Sequence, residues 1–186
     1  SVATAEFTWL LILAAMRRLP SYMANLYAGA WQQSVPARPD WPLAGLGVAL
    51  AGRTLGVWSY GKIGALVAGY GKAFGMKVLV HGSAEARARA EADGHATAAD
   101  REELFARADV LTLHLRLAEA TRGCVTRRDL ARMQPTALLV NTSRAELVEP
   151  GALVEALRGG RPGMAAVDVF EREPVRDEPL LRQPNV

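Results

Sequence analysis

The sequence predicts an α/β fold: a doubly wound parallel sheet with helices on both faces, three αβα layers in all. Three observations predict it. From residue 54 onward, short β-rich apolar runs alternate with longer helical patterns, the signature of βαβ units. The runs are nearly continuous in apolar residues, as strands covered on both faces should be. A glycine turn, Ser59-Tyr60-Gly61-Lys62-Ile63-Gly64, joins the first run to the first of these helical patterns.

Taken in order, residues 3–19 carry a long helical pattern, and an irregular segment with Trp31, Pro36, Pro39 and Pro42 follows. Strands are expected at 54–58, 77–81, 109–114, 137–141 and 164–169, with helices between them at 63–74, 84–93, 100–108, 126–133 and 150–158. Gly75 suits the end of the first of these helices, Pro150 the first turn of the last, and Gly159-Gly160 its end. A chain of 186 residues, half of them hydrophobic, can bury the core of one domain. Residues 1–50 are read as a leading helix and arm, and residues 51–186 as the sheet core.

Composition narrows the function. The net charge of +3 and pI near 9.3 come from arginines scattered among acids, so no nucleic-acid partner is expected. The apolar stretch 9–16 is too short to span a bilayer, which takes about 20 apolar residues. Arg17-Arg18 follow that stretch instead of preceding it, unlike a signal peptide. A single cysteine, Cys124, permits no internal disulfide and suits a reducing cytoplasm. No metal-ligand set is read. The chain begins at Ser1 and stops at Val186, just after the turn-like Gln183-Pro184-Asn185, so both ends read as cut.

The glycine turn gives the fold a ligand. In the Rossmann-type fingerprint G-x-G-x-x-G, the first glycine makes a tight turn, the second admits a pyrophosphate and the third packs helix on strand. Here Ser59 takes the first place, and Gly61 and Gly64 keep the other two. Tyr60, Gly61, Lys62, Ile63 and Gly64 are therefore candidate dinucleotide contacts at a helix N-terminus with free N–H groups. The fingerprint expects an acid at the end of the second strand, for the adenosine ribose. The strand instead runs out as His81-Gly82-Ser83. Gly82 and Ser83 are candidate contacts there, with Arg87 and Arg89 nearby to receive a 2'-phosphate, so NAD and NADP both stay open.

Four segments carry more: LGVWSYGKIG (55–64), ADVLTLHLRLAEATRG (108–123), LARMQPTALLVNTSRAELVEPGALVEAL (130–157) and GMAAVDVFEREP (163–174). Together they resemble the D-isomer-specific 2-hydroxyacid dehydrogenases, a group that includes phosphoglycerate dehydrogenases and glyoxylate/hydroxypyruvate reductases. The likeness runs over essentially the whole chain, from the leading VATAEFTWLLILAAMRRL onward. It implies an enzyme moving hydride between a nicotinamide cofactor and a small 2-hydroxy or 2-oxo acid, in a homodimer built partly by the leading helix and the Trp31 arm.

The resemblance also assigns roles. The arginine of the N-x-[ST]-R segment falls on Arg144, an always-charged fork that would grip the substrate carboxylate and polarise its carbonyl. The glutamate before the proline of D-V-F-x-x-E-P falls on Glu173, which would hold a histidine and raise its pKa. Asp168 matches an aspartate at the nicotinamide end. Leu115, Arg116, Thr121, Thr142, Ser143 and Arg144 would complete the cofactor wall. The family's histidine follows a P-N-V-type segment in a T-P-H context, beyond Val186, and the substrate domain is likewise absent from this chain. His81, His95 and His114 do not fit its motif, so the chain alone is expected to bind cofactor without turning over. Ala145 and Arg116 depart from the usual glycine and proline of the family. Formate dehydrogenases of the same scaffold place glutamine where Glu173 stands. A non-catalytic, co-repressor-like dinucleotide sensor is the alternative, and the retention of both Arg144 and Glu173 speaks against it.

Overall fold

A computed structural model describes residues 1–31 and 46–186; Pro36, Pro39 and Pro42 of the expected irregular segment lie outside the described residues. Two helices lead, α1 (Val2–Met16) and α2 (Leu19–Tyr27). Then come β1 (Thr54–Trp58), α3 (Lys62–Ala73), β2 (Lys77–His81), α4 (Ala84–Ala92), β3 (Ala96–Thr97) and α5 (Arg101–Arg107). The chain continues through β4 (Val110–Leu113), α6 (Arg127–Arg132), β5 (Leu138–Asn141), α7 (Ala152–Arg158) and β6 (Met164–Val167). The six strands form one sheet in the order β3-β2-β1-β4-β5-β6, and every pair is parallel. Strand order reverses at β1, between β2 and β4, which is where open α/β sheets bind ligands beyond their carboxyl ends.

Alternation along each strand sorts the side chains into two cores. Leu55, Val57, Val78, Val80, Leu138 and Val140 face α1, α3 and α4, and pack with Ile12, Val67 and Ala90. Trp58, Leu79, Leu111 and Leu139 face α5, α6 and α7, and pack with Phe105, Leu130 and Leu153. The fold is therefore the expected three-layer αβα arrangement. Phe105 and Leu130 are wholly buried. Each such side chain contributes about 1.5–3 kcal/mol relative to exposure.

Three sequence expectations need correction. The helical pattern of 3–19 is interrupted at Arg17-Arg18: Arg18 takes a left-handed φ of 55° and a second helix starts at Leu19. Pro20 has no N–H to continue the α1 ladder, but in the first turn of α2 none is needed. Pro150 does not sit in the first turn of α7, because Gly151, at φ 73°, caps that helix and Ala152 begins it. The two-residue β3 was not expected at all. It exists by pairing Ala96 and Thr97 with Leu79 and Val80 at the sheet edge, which leaves no periodicity to read.

Candidate functional site

The glycine turn stands at the switch point. Ser59 N–H donates to the His81 carbonyl at 2.8 Å, so the turn leaves β1 alongside the end of β2. Ser59 has a φ of 81°, the left-handed region where glycine is at ease and serine is not. A Cβ on Gly64 would stand 2.3 Å from the Ser59 carbonyl oxygen, so only glycine lets α3 close on the turn. At Gly61 the reverse holds: a Cβ would meet nothing within 4 Å, which leaves space against bare backbone. The N–H groups of Lys62, Ile63 and Gly64 precede the first helical bond, Ala65 N–H to Gly61 carbonyl, and so have no acceptor within the helix. These residues fit a dinucleotide pyrophosphate: an open approach, free donors and a helix dipole of the right sign. Ser59→Gly is expected to raise stability by about 1 kcal/mol by relieving the left-handed serine; chemical denaturation of the two proteins checks it, and a less stable variant would be the contrary result.

Helix α4 braces the turn in a way the sequence did not disclose. Arg89 donates through Nη2 to the Tyr60 carbonyl at 2.9 Å, and the Tyr60 hydroxyl donates to Asp93 at 2.8 Å. Burial and the bond to Asp93 push the Tyr60 phenol far above its ordinary value. A cleft of about 460 Å³ opens beside these residues, with Gly61 and Lys62 on its wall. Arg89 is thus held on the turn. Gly82 lies close by, since a Cβ there would stand 3.5 Å from the Ser59 Cα and 3.2 Å from the Ala86 Cβ. Ser83 caps α4 by accepting from the Ala86 N–H at 3.3 Å. Arg87 is near enough to the end of β2 for its charge to help depress the pKa of His81, after burial, the larger cause.

The opposite wing is built at the ends of β4, β5 and β6. Asn141 shapes it: its Oδ1 accepts the Ser143 N–H at 3.0 Å and its Nδ2 donates to the Arg144 carbonyl at 2.8 Å, folding 142–144 into a tight loop. Sequence reasoning left Asn141 out of the site, although an asparagine in N-x-[ST]-R was the signal for such a turn. Ser143 Oγ donates to the Leu113 carbonyl at 2.7 Å and so joins this loop to the end of β4, where His114 and Leu115 follow. The Arg144 guanidinium is exposed. It donates through Nη1 only to the neighbouring Ser143 carbonyl at 2.6 Å and has no carboxylate partner among the described residues. Asp168 follows β6, which ends at Val167 and not at 169 as expected, and its carboxyl is pushed up by burial, with help from the nearby charge of Glu173. Glu173 accepts the Phe170 N–H at 3.1 Å. Thr121 stands apart from this loop. It closes the 116–121 turn by bonding the Arg116 carbonyl at 2.7 Å and the Ala118 N–H at 2.8 Å, while Arg116 points to solvent.

Burial works against the charged form of all three histidines. Burial lowers the pKa of His81 and His95, and pushes His114 down to about 4. His114 shares a 3.1 Å bond with the Thr112 hydroxyl, His95 lies edge-on to the Tyr60 ring, and His81 lies edge-on to Trp58.

Over residues 9–186 the sequence matches the family described as D-isomer specific 2-hydroxyacid dehydrogenase, NAD binding domain. A glyoxylate reductase from Aeropyrum pernix is 44% identical over 186 residues, which cover 99% of this chain and 54% of that protein. A D-3-phosphoglycerate dehydrogenase from Methanocaldococcus jannaschii is 39% identical, over 100% of this chain and 34% of its own length. The crystal structure of a phosphoglycerate oxidoreductase from Vibrio cholerae superposes with a TM-score of 0.91 at 55% identity, covering 99% of this chain and 57% of that one. The chain spans about half the length of the glyoxylate reductase it matches. With the turn, the strand order and the whole-chain match in agreement, the chain belongs to the D-isomer specific 2-hydroxyacid dehydrogenase family and is its NAD binding domain.

Proposed function

We propose that this domain binds NAD or NADP across the switch point and serves an oxidoreductase of small 2-hydroxy or 2-oxo acids. The carrying observation is Arg144, an exposed guanidinium without a carboxylate partner among the described residues, just past the carboxyl end of β5, next to β6, which Asp168 follows. A fork left open there suits a carboxylate and an adjacent carbonyl oxygen, gripping the first and drawing electrons from the second. The bound dinucleotide supplies the hydride. Tyr60 to Gly64 hold its pyrophosphate, Gly82 and Ser83 its adenosine ribose, and Leu115, Arg116, Thr121, Thr142, Ser143 and Asp168 wall its nicotinamide half. Glu173 would orient an imidazolium that protonates the nascent alkoxide, a part for which His81, His95 and His114, whose pKa values burial lowers, are unsuited.

This reading makes the chain alone a binder of cofactor that reduces no 2-oxo acid. A homodimer is part of it, because α1 and α2 leave Phe7, Leu10, Met23, Leu26 and Tyr27 exposed on the outer surface. Exposed apolar groups gathered in this way suit a second copy of the chain. Cytoplasmic placement accords with a lone half-buried thiol at Cys124; among the described residues no helix is long and apolar enough to cross a membrane.

Calorimetric titration tests the core of the proposal. NADH or NADPH should bind the chain, and glyoxylate should tighten the binding of the oxidised cofactor several-fold by forming a dead-end ternary complex. Arg144→Ala should lose the glyoxylate effect, as expected on removal of a charge-assisted pair, while any loss of cofactor affinity should be the same with and without glyoxylate. Binding of neither dinucleotide, or a glyoxylate effect that survives Arg144→Ala, would refute it.

A further inference from the structure

One contact ties the leading helix to the end of β5. Thr8 on α1 is fully buried, and its Oγ1 lies 2.7 Å from the Oγ1 of Thr142, 134 residues away. Thr8 also donates to the carbonyl of Thr4 at 2.8 Å. A hydroxyl has one proton to donate and two lone pairs with which to accept. Either hydroxyl can donate across the 2.7 Å contact, and a Thr8 proton given to the Thr4 carbonyl leaves Thr142 as the donor and Thr8 as the acceptor. Ser143 is committed in the same sense, since its proton goes to the Leu113 carbonyl at 2.7 Å. In that arrangement both hydroxyls of the loop after β5 turn their protons inward and offer a ligand lone pairs. Asp168, just past β6, adds a carboxyl to the same rim.

We propose that Thr8 is a positioning residue for the nicotinamide end: by accepting the Thr142 proton it makes the β5 rim an acceptor surface. Such a surface selects a pyridine ring whose substituent carries N–H, a carboxamide, over one bearing a ketone or a carboxylate. The inference rests on the proposed placement of the nicotinamide at this rim. It adds a specificity role for a buried residue of the leading helix. Loss of the Thr8 oxygen would free the Thr142 proton to turn outward as a donor, and the selection would fade.

The probe is the reduced 3-acetylpyridine analogue of whichever dinucleotide binds better, in which a methyl group replaces the amide nitrogen. By calorimetry the 186-residue chain should bind the analogue about tenfold more weakly than the natural dinucleotide, the worth of one hydrogen bond with its acceptor left unmatched. Thr8→Val should shrink that ratio to within about threefold, and Thr8→Ser, which keeps the hydroxyl, should restore it. A general packing defect would weaken both ligands together and leave the ratio alone. Should Thr8→Val fail to fold, Thr142→Val removes the hydroxyl from the other end and should reduce the ratio in the same way. Equal binding of analogue and natural dinucleotide by the unmodified chain, or an unchanged ratio in the valine variants, would overturn the proposal. Failure of the unmodified chain to bind the natural dinucleotide would instead overturn the site assignment, and this inference with it.

Discussion

Gly64→Ala should abolish dinucleotide binding, with a loss of at least about 100-fold in affinity, and should lower the melting temperature by several degrees. The added methyl would sit 2.3 Å from the Ser59 carbonyl oxygen and 3.3 Å from both the Ser59 carbonyl carbon and Val57 Cγ1. Two of these atoms are backbone, in a turn already held at a φ of 81° and pinned to β2 by the 2.8 Å bond to His81. The turn cannot yield, so α3 must move outward and carry the Lys62, Ile63 and Gly64 N–H groups away from the phosphates. Gly61→Ala separates function from folding. Its methyl meets nothing within 4 Å, so the melting temperature should hold while affinity falls through obstruction of the ligand's approach. Calorimetry with NADH and NADPH beside thermal melts would check both variants. Affinity for Gly64→Ala within threefold of the parent chain would contradict this account of the turn.

Acidification should destabilise the fold well before its carboxylates titrate. The folded His114 ring is pushed from 6.5 down to about 4 by burial, so between those values the unfolded chain holds a proton that the native chain refuses. Stability contributed by the neutral ring is fully present above about 6.5, falls as pH drops toward 4, and levels off below. The ring is partly exposed, which trims the loss to an order of 2 kcal/mol. His81 and His95 are lowered in the same direction and add to the slope. Asp168 works the other way, because its raised carboxyl pKa makes protonation favour the native state. Urea denaturation at pH 7 and pH 4.5 should show the loss in the parent chain, and His114→Gln should remove the largest part of it. A His114→Gln protein as acid-sensitive as the parent would show that the desolvated imidazole is not the cause.

Much of this protein was written locally. The bounds of β1 and β2 could be read to the residue, because short runs rich in β-branched side chains stopped at Ser59 and at Gly82. The glycine turn, the helix after it and the stop at Gly75 all follow from short-range dihedral preference. So does the position of Arg144 just past β5, and even the serine in the first glycine place was visible as a departure. Its consequence, a left-handed φ, was not.

What the tertiary structure decided lies where chain distance is large or local pattern is ambiguous. Hydrophobic periodicity ran on through Leu19, and only the packed helices show that the backbone turns at Arg18. Ala96 and Thr97 are a strand solely because β2 offers them an edge. From sequence Arg89 was open to a 2'-phosphate and Asp93 carried no assignment, yet both brace Tyr60. The same holds for Thr8, an unremarked residue of an apolar helix until Thr142 arrives from 134 positions away. Dihedral preference and periodicity act over a few residues and survive in the sequence. The direction of a hydroxyl proton, or the desolvation that keeps His114 neutral, depends on what the finished core packs against it, and that exists only in the folded molecule.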